Sequence, residues 1–429
     1  MYTPKFMTVF KPVCSLGRNL NPVAKGVLLG LYMGGSAALA QGLPELNDSA
    51  ALVMNAEQEK MFGQQVMLSI RSQGRFSEDR LLLDYFTRLA YELVRHSPRD
   101  FGQPKVALAI DPAINAFALP GGYITVNTGL IQNTRSEAEL ASVVAHEIGH
   151  QSQRHISRRI ERQKQMTLPA TAALIGGLLI GGEAGKAAMV TSQAAVASDQ
   201  LAYSRTFERE ADATGMNIMA AAGYDPEAMP VFFSQLEAQS RLYGGLVLEF
   251  LSTHPVSSDR VADGRSRASR INPAPPPDPP SADRLDYIHA EARTVAFYDE
   301  PVSRVIEQFD HARNDTQLSL AARKANAYGL SLAYMRNTQY PLAADTLRAL
   351  REAEPENPVY ALAEAELAYV SGNTVLAIEM FETMYKGNTA HPAYIDGYAR
   401  SLIQAEKYAS AIRILRKAIR HHPEMGWAY

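Results

Sequence analysis

The sequence SEAELASVVAHEIGHQS, at residues 136–152, is the most informative part of this 429-residue chain. Ser136 followed three residues later by Glu139 forms a capping box, which predicts that a helix begins here. In that helix, His146 and His150 are four residues apart and therefore lie on one face. Both imidazoles can then contact one Zn²⁺ at about 2.0–2.1 Å.

The glutamate between these histidines suggests hydrolytic chemistry. Zinc lowers the pKa of a coordinated water towards ~7, and Glu147 can take the proton as general base. A polar surface helix is the alternative, but the capped start and the apolar residues Val143, Val144 and Ile148 argue against it. We predict that this helix continues to about Arg159.

A catalytic zinc requires a third protein ligand and one open position. Residue 156 is Ile, so the third histidine of an HExxHxxGxxH motif is absent. In the segment SRTFEREAD, Glu208 and Asp212 are four residues apart and share a helix face. Glu208 can ligate the metal, and Asp212 can support catalysis by bonding the outer nitrogen of a ligand histidine. Glu210 points about 200° away and is predicted to be a surface residue.

HEIGH followed by Ser-Arg-x-x-Glu-x-x-Ala-Asp resembles the gluzincin metallopeptidases that include the CAAX prenyl endopeptidase. The stretch NAFALPGG at residues 115–122 also matches that family. The resemblance covers about residues 57–271 and implies an edge strand to which a substrate backbone adds. The residues predicted to form this strand are Gly122, Tyr123, Ile124 and Thr125.

The sequence THP around His254, followed by Arg260, resembles a loop of periplasmic members of this family. The resemblance implies that His254 gates the open zinc position as a fourth ligand, or donates to the developing oxyanion. Arg260 would then orient the loop or bind the substrate backbone. A surface loop histidine is the alternative. His155, five residues after His150 and about 140° off the ligand face, is predicted to be structural.

The first 40 residues have a different composition. They contain four basic residues, no acidic ones, and an apolar run at 27–39 that ends in Ala-Leu-Ala. This order is typical of a signal peptide cleaved after about Ala40. An uncleaved anchor is the alternative, although a span needs ~20 apolar residues. Cleavage removes Cys14, the only cysteine, which excludes disulfides and suits an oxidising compartment.

The C-terminal part is repetitive. The proline-rich stretch NPAPPPDPP at 272–280 is predicted to be a stiff linker or surface strap, and after about Arg313 the chain is helical to its end. Ala343, Ala377 and Ala411 are spaced by 34 residues, as are Leu347, Phe381 and Leu415. A 34-residue helical unit with a small residue where two helices meet resembles tetratricopeptide repeats. An unrelated array of helical hairpins is the alternative.

The predicted fold is α+β and mostly helical. The elements before the linker are helices at about 56–95, 192–222 and 226–243 and strands at 105–110 and 123–126. The apolar run 168–182 is either a loop or buried helix, or an element that covers the active site or touches a membrane. The predicted domains are a signal peptide at 1–40, a gluzincin metallopeptidase domain with a small β-sheet at 41–271, a proline-rich linker at 272–283 and an all-α repeat solenoid at 284–429.

This layout as a whole is similar to periplasmic proteases that serve outer-membrane β-barrel assembly. The similarity implies a zinc endopeptidase with one Zn²⁺ per chain that acts on misfolded or assembly-stalled outer-membrane proteins. It also implies a chaperone role and contact between the repeats and the barrel-assembly machinery. The alternative is a repeat-based adaptor or chaperone whose protease site is gated and mostly latent. A net charge of −3 gives no sign of a nucleic-acid partner.

Overall fold

The computed structural model describes residues 54–163, 204–242, 249–276 and 281–421. The predicted signal peptide and the apolar run 168–182 lie outside the described residues. In the part of the chain that is described, no helix is long and apolar enough to cross a membrane.

The elements before the proline-rich stretch combine helices with one small sheet. They are α1 Ala56–Gln73, α2 Arg80–Val94, β1 Lys105–Ala109, β2 Ala116–Leu119, β3 Tyr123–Asn127, α3 Thr128–Ile131, α4 Glu137–Ser152, α5 155–163, α6 204–221, α7 Ala228–Leu242, α8 Glu249–Thr253 and α9 Ser258–Ala268. Helices follow after it: α10 Tyr287–Tyr298, α11 Val302–Asn314, α12 Leu320–Arg336, α13 Tyr340–Ala353, α14 Pro358–Val370, α15 Thr374–Gly387, α16 Pro392–Gln404 and α17 Tyr408–His421.

Helix α4, which carries both histidines, begins where the sequence predicts but ends earlier. The Ser136 hydroxyl accepts from the Glu139 N–H at 3.2 Å. The helix stops at Ser152 instead of continuing to about Arg159, because Arg154 has a φ of +54° in the left-handed region. Arg154 Nε donates to Glu59 Oε1 on α1 at 2.8 Å. This buried ion pair with a distant helix stabilises a turn that no local glycine or proline indicates.

The sheet has the order β1-β3-β2, so β3 is its central strand. β3 pairs in parallel with β1 and antiparallel with β2. The Gly122 carbonyl accepts from the Lys105 N–H at 2.7 Å, which continues the β1 pairing. The prediction that Gly122, Tyr123, Ile124 and Thr125 form an edge strand is therefore wrong, because both sides of that segment already carry backbone hydrogen bonds.

The strand that faces α4 is β2, which the sequence pattern does not predict as a strand. The outer side of β1 is met by the segment before α2, through an isolated bridge between Phe76 and Ala109. β2 instead has α4 beside its outer side, where the Ala118 N–H points to the Glu147 carboxylate. Among the described strands, β2 is therefore the one whose outer side lies next to the histidines.

Helices α12 to α17 repeat with the predicted 34-residue step. Ala343, Ala377 and Ala411 are at most 2% exposed, which allows each helix to pack closely on its neighbour. The turn before α13, α15 and α17 contains one residue with positive φ, and these residues are also 34 apart. They are Thr338, Gly372 and Glu406. The period seen in the sequence thus recurs in backbone conformation as well as in burial.

Arg293 on α10 joins the helical array to the part that contains α4. Its Nε donates to Asp79 Oδ2 at 2.7 Å, and its Nη2 to Glu366 Oε1 at 2.6 Å. Its Nη1 donates to the Tyr328 hydroxyl at 3.0 Å. Burial alone would lower the pKa of Arg293, but Asp79 and Glu366 raise it. Because Asp79 caps α2 and Glu366 lies on α14, this buried network ties distant elements together.

Candidate metal centre

Four side chains from three segments converge on one point. The donor atoms of His146, His150, Glu208 and His254 all lie within 4.8 Å of one another. His146 Nε2 and His150 Nε2 are 3.0 Å apart, and the Glu208 carboxylate oxygens lie 3.4 and 3.3 Å from them. Four ligands about 2.0–2.1 Å from a tetrahedral centre are roughly 3.3 Å from one another. The donor set and its spacing therefore fit a metal ion.

Glycines let helix α6 approach α4 closely enough for Glu208 to reach the histidines. A Cβ on Gly149 would lie 2.7 Å from the Ala211 carbonyl oxygen. A Cβ on Gly215 would lie 3.0 Å from the backbone nitrogen of His146. Larger side chains at either position would push the two helices apart and move the carboxylate away from the imidazoles.

The outer nitrogen of His146 lies against a buried carboxylate. Asp212 Oδ1 is 2.9 Å from His146 Nδ1, which leaves the Nε2 lone pair directed at the donor cluster. Arg260 holds Asp212 in a bidentate ion pair, with Nε and Nη2 at 2.9 and 2.8 Å. Burial would raise the pKa of Asp212, but His146 and Arg260 together lower it.

The remaining groups of Arg260 are also used inside the protein. Its Nη1 donates to the Pro255 carbonyl at 2.7 Å and lies 3.1 Å from Glu208 Oε2. The side chain is only 5% exposed. Of the two roles considered for Arg260, these contacts favour orienting the loop of His254 over binding a substrate backbone.

Glu147 lies beside the donor cluster and is 3% exposed. Its Oε2 accepts from the Ala118 N–H on β2 at 3.2 Å, and its Oε1 lies 3.3 Å from His254 Nε2. Burial raises the pKa of Glu147, although the neighbouring imidazoles of His254 and His146 oppose this. The position of Glu147 Oε1 beside His254, next to the donor cluster, suits a general base.

His254 lies at the donor cluster and not on the surface. Its Nδ1 is 3.3 Å from His146 Nε2 and 3.1 Å from Glu208 Oε2. The ring stacks on the buried Phe250, with centroids 4.9 Å apart. The role of Phe250 cannot be predicted from the sequence, because an aromatic residue four positions before a histidine is not a recognisable pattern.

The two histidines on α4 differ in basicity. Burial alone would lower the pKa of His146, but its hydrogen bonds to Asp212 and Glu208 raise it to about 9. Burial lowers the pKa of His150 to about 3. A metal ion that binds here must compete with a proton at His146, so its affinity is expected to fall as the pH falls.

His155 and Glu210 make contacts that their positions in the sequence do not predict. His155 Nδ1 lies 2.8 Å from His150 Nδ1, and His155 Nε2 lies 3.0 Å from Glu210 Oε2. The turn at Arg154 causes this, because it ends α4 and brings His155 back towards His150. A continuous helix would have directed the ring elsewhere. Glu210 is thus tied to His155 and Arg158 and is not an ordinary surface residue.

Comparison with known proteins agrees with this site. Residues 84–268 match Peptidase family M48. The chain is 33% identical over 392 residues to the putative β-barrel assembly-enhancing protease of Vibrio cholerae. The aligned region covers 90% of this chain and 79% of the relative. It is 31% identical over 326 residues to the β-barrel assembly-enhancing protease of Escherichia coli K12, covering 75% of this chain and 65% of the relative. A mitochondrial metalloendopeptidase OMA1 of Arabidopsis thaliana is 33% identical over 166 residues, covering 36% of this chain and 30% of the relative.

The fold, the donor cluster and the adjacent glutamate define a metalloendopeptidase. The chain belongs to the family of β-barrel assembly-enhancing proteases, and its catalytic part to Peptidase family M48. The resemblance seen in the motifs is confirmed at this level.

Proposed function

We propose that this protein is a zinc-dependent endopeptidase of the periplasm that cleaves misfolded or assembly-stalled outer-membrane proteins. The proposed protease activity is supported above all by the convergence of His146, His150 and Glu208 beside the buried Glu147. The substrate class is supported by the names of the relatives, which refer to β-barrel assembly. The compartment is supported by the signal-like sequence at residues 1–40.

His146, His150 and Glu208 would hold one Zn²⁺ per chain. Two imidazole nitrogens and one carboxylate are a common ligand set for catalytic zinc, and their separations suit it. Zinc bound there supplies a Lewis acid that polarises a carbonyl and lowers the pKa of a water towards ~7. Asp212 keeps the His146 ring in position for this role.

Glu147 is the general base in the proposed reaction. The Ala118 N–H fixes one of its oxygens and leaves the other directed towards His254. Glu147 takes a proton from the attacking water and passes it to the leaving amine. The same Ala118 lies on β2, so a substrate strand that adds to this edge brings its backbone next to the base. Such pairing reads backbone more than side chains, which suits unfolded substrates.

We further propose that the array after the linker is a tetratricopeptide-repeat solenoid that presents substrates or contacts the barrel-assembly machinery. Its 34-residue period in burial and in turn conformation supports this interpretation. Large apolar side chains remain exposed along the array and suit a protein partner. They include Leu342, Val370, Val375, Leu376, Ile403, Tyr408 and Ile412. A chaperone role would use the same surface.

Removal of the metal tests the proposed function. We expect a strong chelator to abolish cleavage of an unfolded β-barrel protein, and one equivalent of zinc to restore it, because the proposed reaction depends on the ion that the three ligands would hold. Metal content by elemental analysis and cleavage by gel electrophoresis are the measurements. Full cleavage by protein shown to be free of metal would rule out the proposal.

A second candidate function is an adaptor or chaperone with a mostly latent protease. It is favoured by His254 Nδ1, which lies where a fourth ligand would be, 3.1 Å from Glu208 Oε2. His254→Ala is then expected to raise cleavage roughly tenfold. This corresponds to a state with His254 at the metal site that is favoured over the open state by about 1.4 kcal/mol. His311→Ala, at an exposed histidine of α11, is the control. A loss of activity in His254→Ala would instead support the oxyanion role.

A further inference from the structure

A histidine that binds a metal through Nε2 must carry its proton on Nδ1. The tautomer is fixed by whatever Nδ1 contacts. For His146 this is Asp212, at 2.9 Å. Among the described residues, no carboxylate contacts the Nδ1 of His150, which instead faces the ring of His155 at 2.8 Å. The two histidines of α4 are thus oriented by different chemical groups.

We propose that His155, held by Glu210 and Arg158, is a positioning residue that fixes His150 as the Nδ1–H tautomer and so sets metal affinity. The proposal rests on the proposed metal site. It assigns a role to three residues outside the donor cluster.

The positions of the imidazole hydrogens of His155 and His150 can be inferred by starting from Arg158. Arg158 Nη1 donates to Glu210 Oε2 at 2.6 Å, which keeps Glu210 an ionised acceptor. His155 Nε2, 3.0 Å from the same oxygen, must therefore carry a hydrogen and donate it. A neutral His155 then has a lone pair on Nδ1 and can only accept from His150. Consequently the hydrogen of His150 is on Nδ1, and its Nε2 lone pair faces the donor cluster.

Packing prevents the ring of His155 from turning over. His155 is 4% exposed and stacks on Phe207, with centroids 4.0 Å apart and an angle of 15° between the planes. The Arg158 guanidinium lies 4.6 Å from the centre of the same Phe207 ring. We call the contacts from Arg158 through Glu210 and His155 to His150 the relay. Phe207 directly precedes Glu208 in α6, so the helix that supplies the third ligand also packs against this relay.

Two substitutions at His155 separate hydrogen bonding from packing. His155→Phe keeps an aromatic ring against Phe207 but removes the acceptor. His155→Gln gives up the stacking but offers an amide oxygen to the His150 N–H. We expect zinc affinity, measured by competition with a chromophoric chelator, to fall about 10- to 100-fold in His155→Phe. It should recover to within about threefold of the unsubstituted protein in His155→Gln.

His391→Phe is the matched control. His391 is 1% exposed and stacks on Tyr394 with centroids 3.9 Å apart, but it lies in the repeat array and bonds the Asp283 carbonyl. Its replacement should lower the melting temperature without changing zinc affinity. Absorption of the cobalt-substituted protein provides a second readout, since a reoriented His150 changes the ligand field even when the metal is bound.

The outcomes distinguish this proposal from the proposed function. If the unsubstituted protein binds no zinc, the proposed function fails, and this inference fails with it. If it binds zinc but His155→Phe keeps the same affinity and cobalt spectrum, only the relay is wrong. Equal losses in His155→Phe and His155→Gln would also overturn the relay, because packing alone would then explain them.

Discussion

Replacing Glu147 with Gln is expected to reduce cleavage of an unfolded protein by about 10²- to 10⁴-fold while leaving zinc content unchanged. The amide has the same shape, and its oxygen can still accept from the Ala118 N–H, as Glu147 does at 3.2 Å. It cannot take a proton from water. Initial rates at several substrate concentrations give kcat/KM, and elemental analysis gives the zinc content.

A control variant distinguishes loss of the base from a general disturbance. Glu92→Gln removes an exposed carboxylate of α2 that pairs with Arg95 at 3.0 Å, and such surface pairs contribute little to stability. It should leave both rate and metal content unchanged. Unaltered cleavage in the zinc-loaded Glu147→Gln protein would show that another group acts as the base.

Replacing Arg293 with Met is expected to lower the free energy of unfolding by about 3–5 kcal/mol. The substitution leaves the carboxylates of Asp79 and Glu366 without the guanidinium that neutralises them, and Asp79 is 9% exposed at its side chain. Because the network joins α2 to α14, the array should also become less firmly attached. Denaturant unfolding measures the first effect, and limited proteolysis after the linker measures the second.

The matched control for Arg293 is an arginine in an exposed ion pair. Arg304 lies 3.3 Å from Asp299, and its side chain is 61% exposed. Arg304→Met should change stability by less than about 1 kcal/mol. In the Arg293→Met background, Asp79→Asn with Glu366→Gln should recover part of the loss, since Asn still caps a helix and no buried charge remains. Equal stability of Arg293→Met and the unsubstituted protein would disprove the assigned role.

Local patterns in the sequence were sufficient to predict the candidate metal-site residues and the repeat. The histidine pair of α4 and the pair Glu208 and Asp212 each follow from a spacing of four residues on a helix, a relation that needs no knowledge of the rest of the chain. The 34-residue period reflects one helix-pair geometry repeated along the chain, so it is visible in the sequence as alanines at regular spacing. Such features depend on neighbours within a turn or a repeat.

The features that were wrong or missed depend on residues far apart in sequence. Strand order requires knowing which strands meet, so the central position of β3 could not be read from its alternating residues. The turn at Arg154 depends on Glu59, 95 residues earlier. The buried Arg293 likewise depends on Asp79 and Glu366, which are far apart in sequence and meet only in the folded chain.

The sequence by itself therefore determined the chemistry: a histidine-glutamate-histidine helix, a second acidic helix, and a family of metallopeptidases. Tertiary structure alone decided the arrangement around that chemistry, including the β2 edge beside Glu147, the position of His254 and the contact between His155 and His150. The physical reason is that intrahelical spacing is set by backbone geometry. Contacts between elements are set instead by packing and by pairing of buried charges across the whole chain.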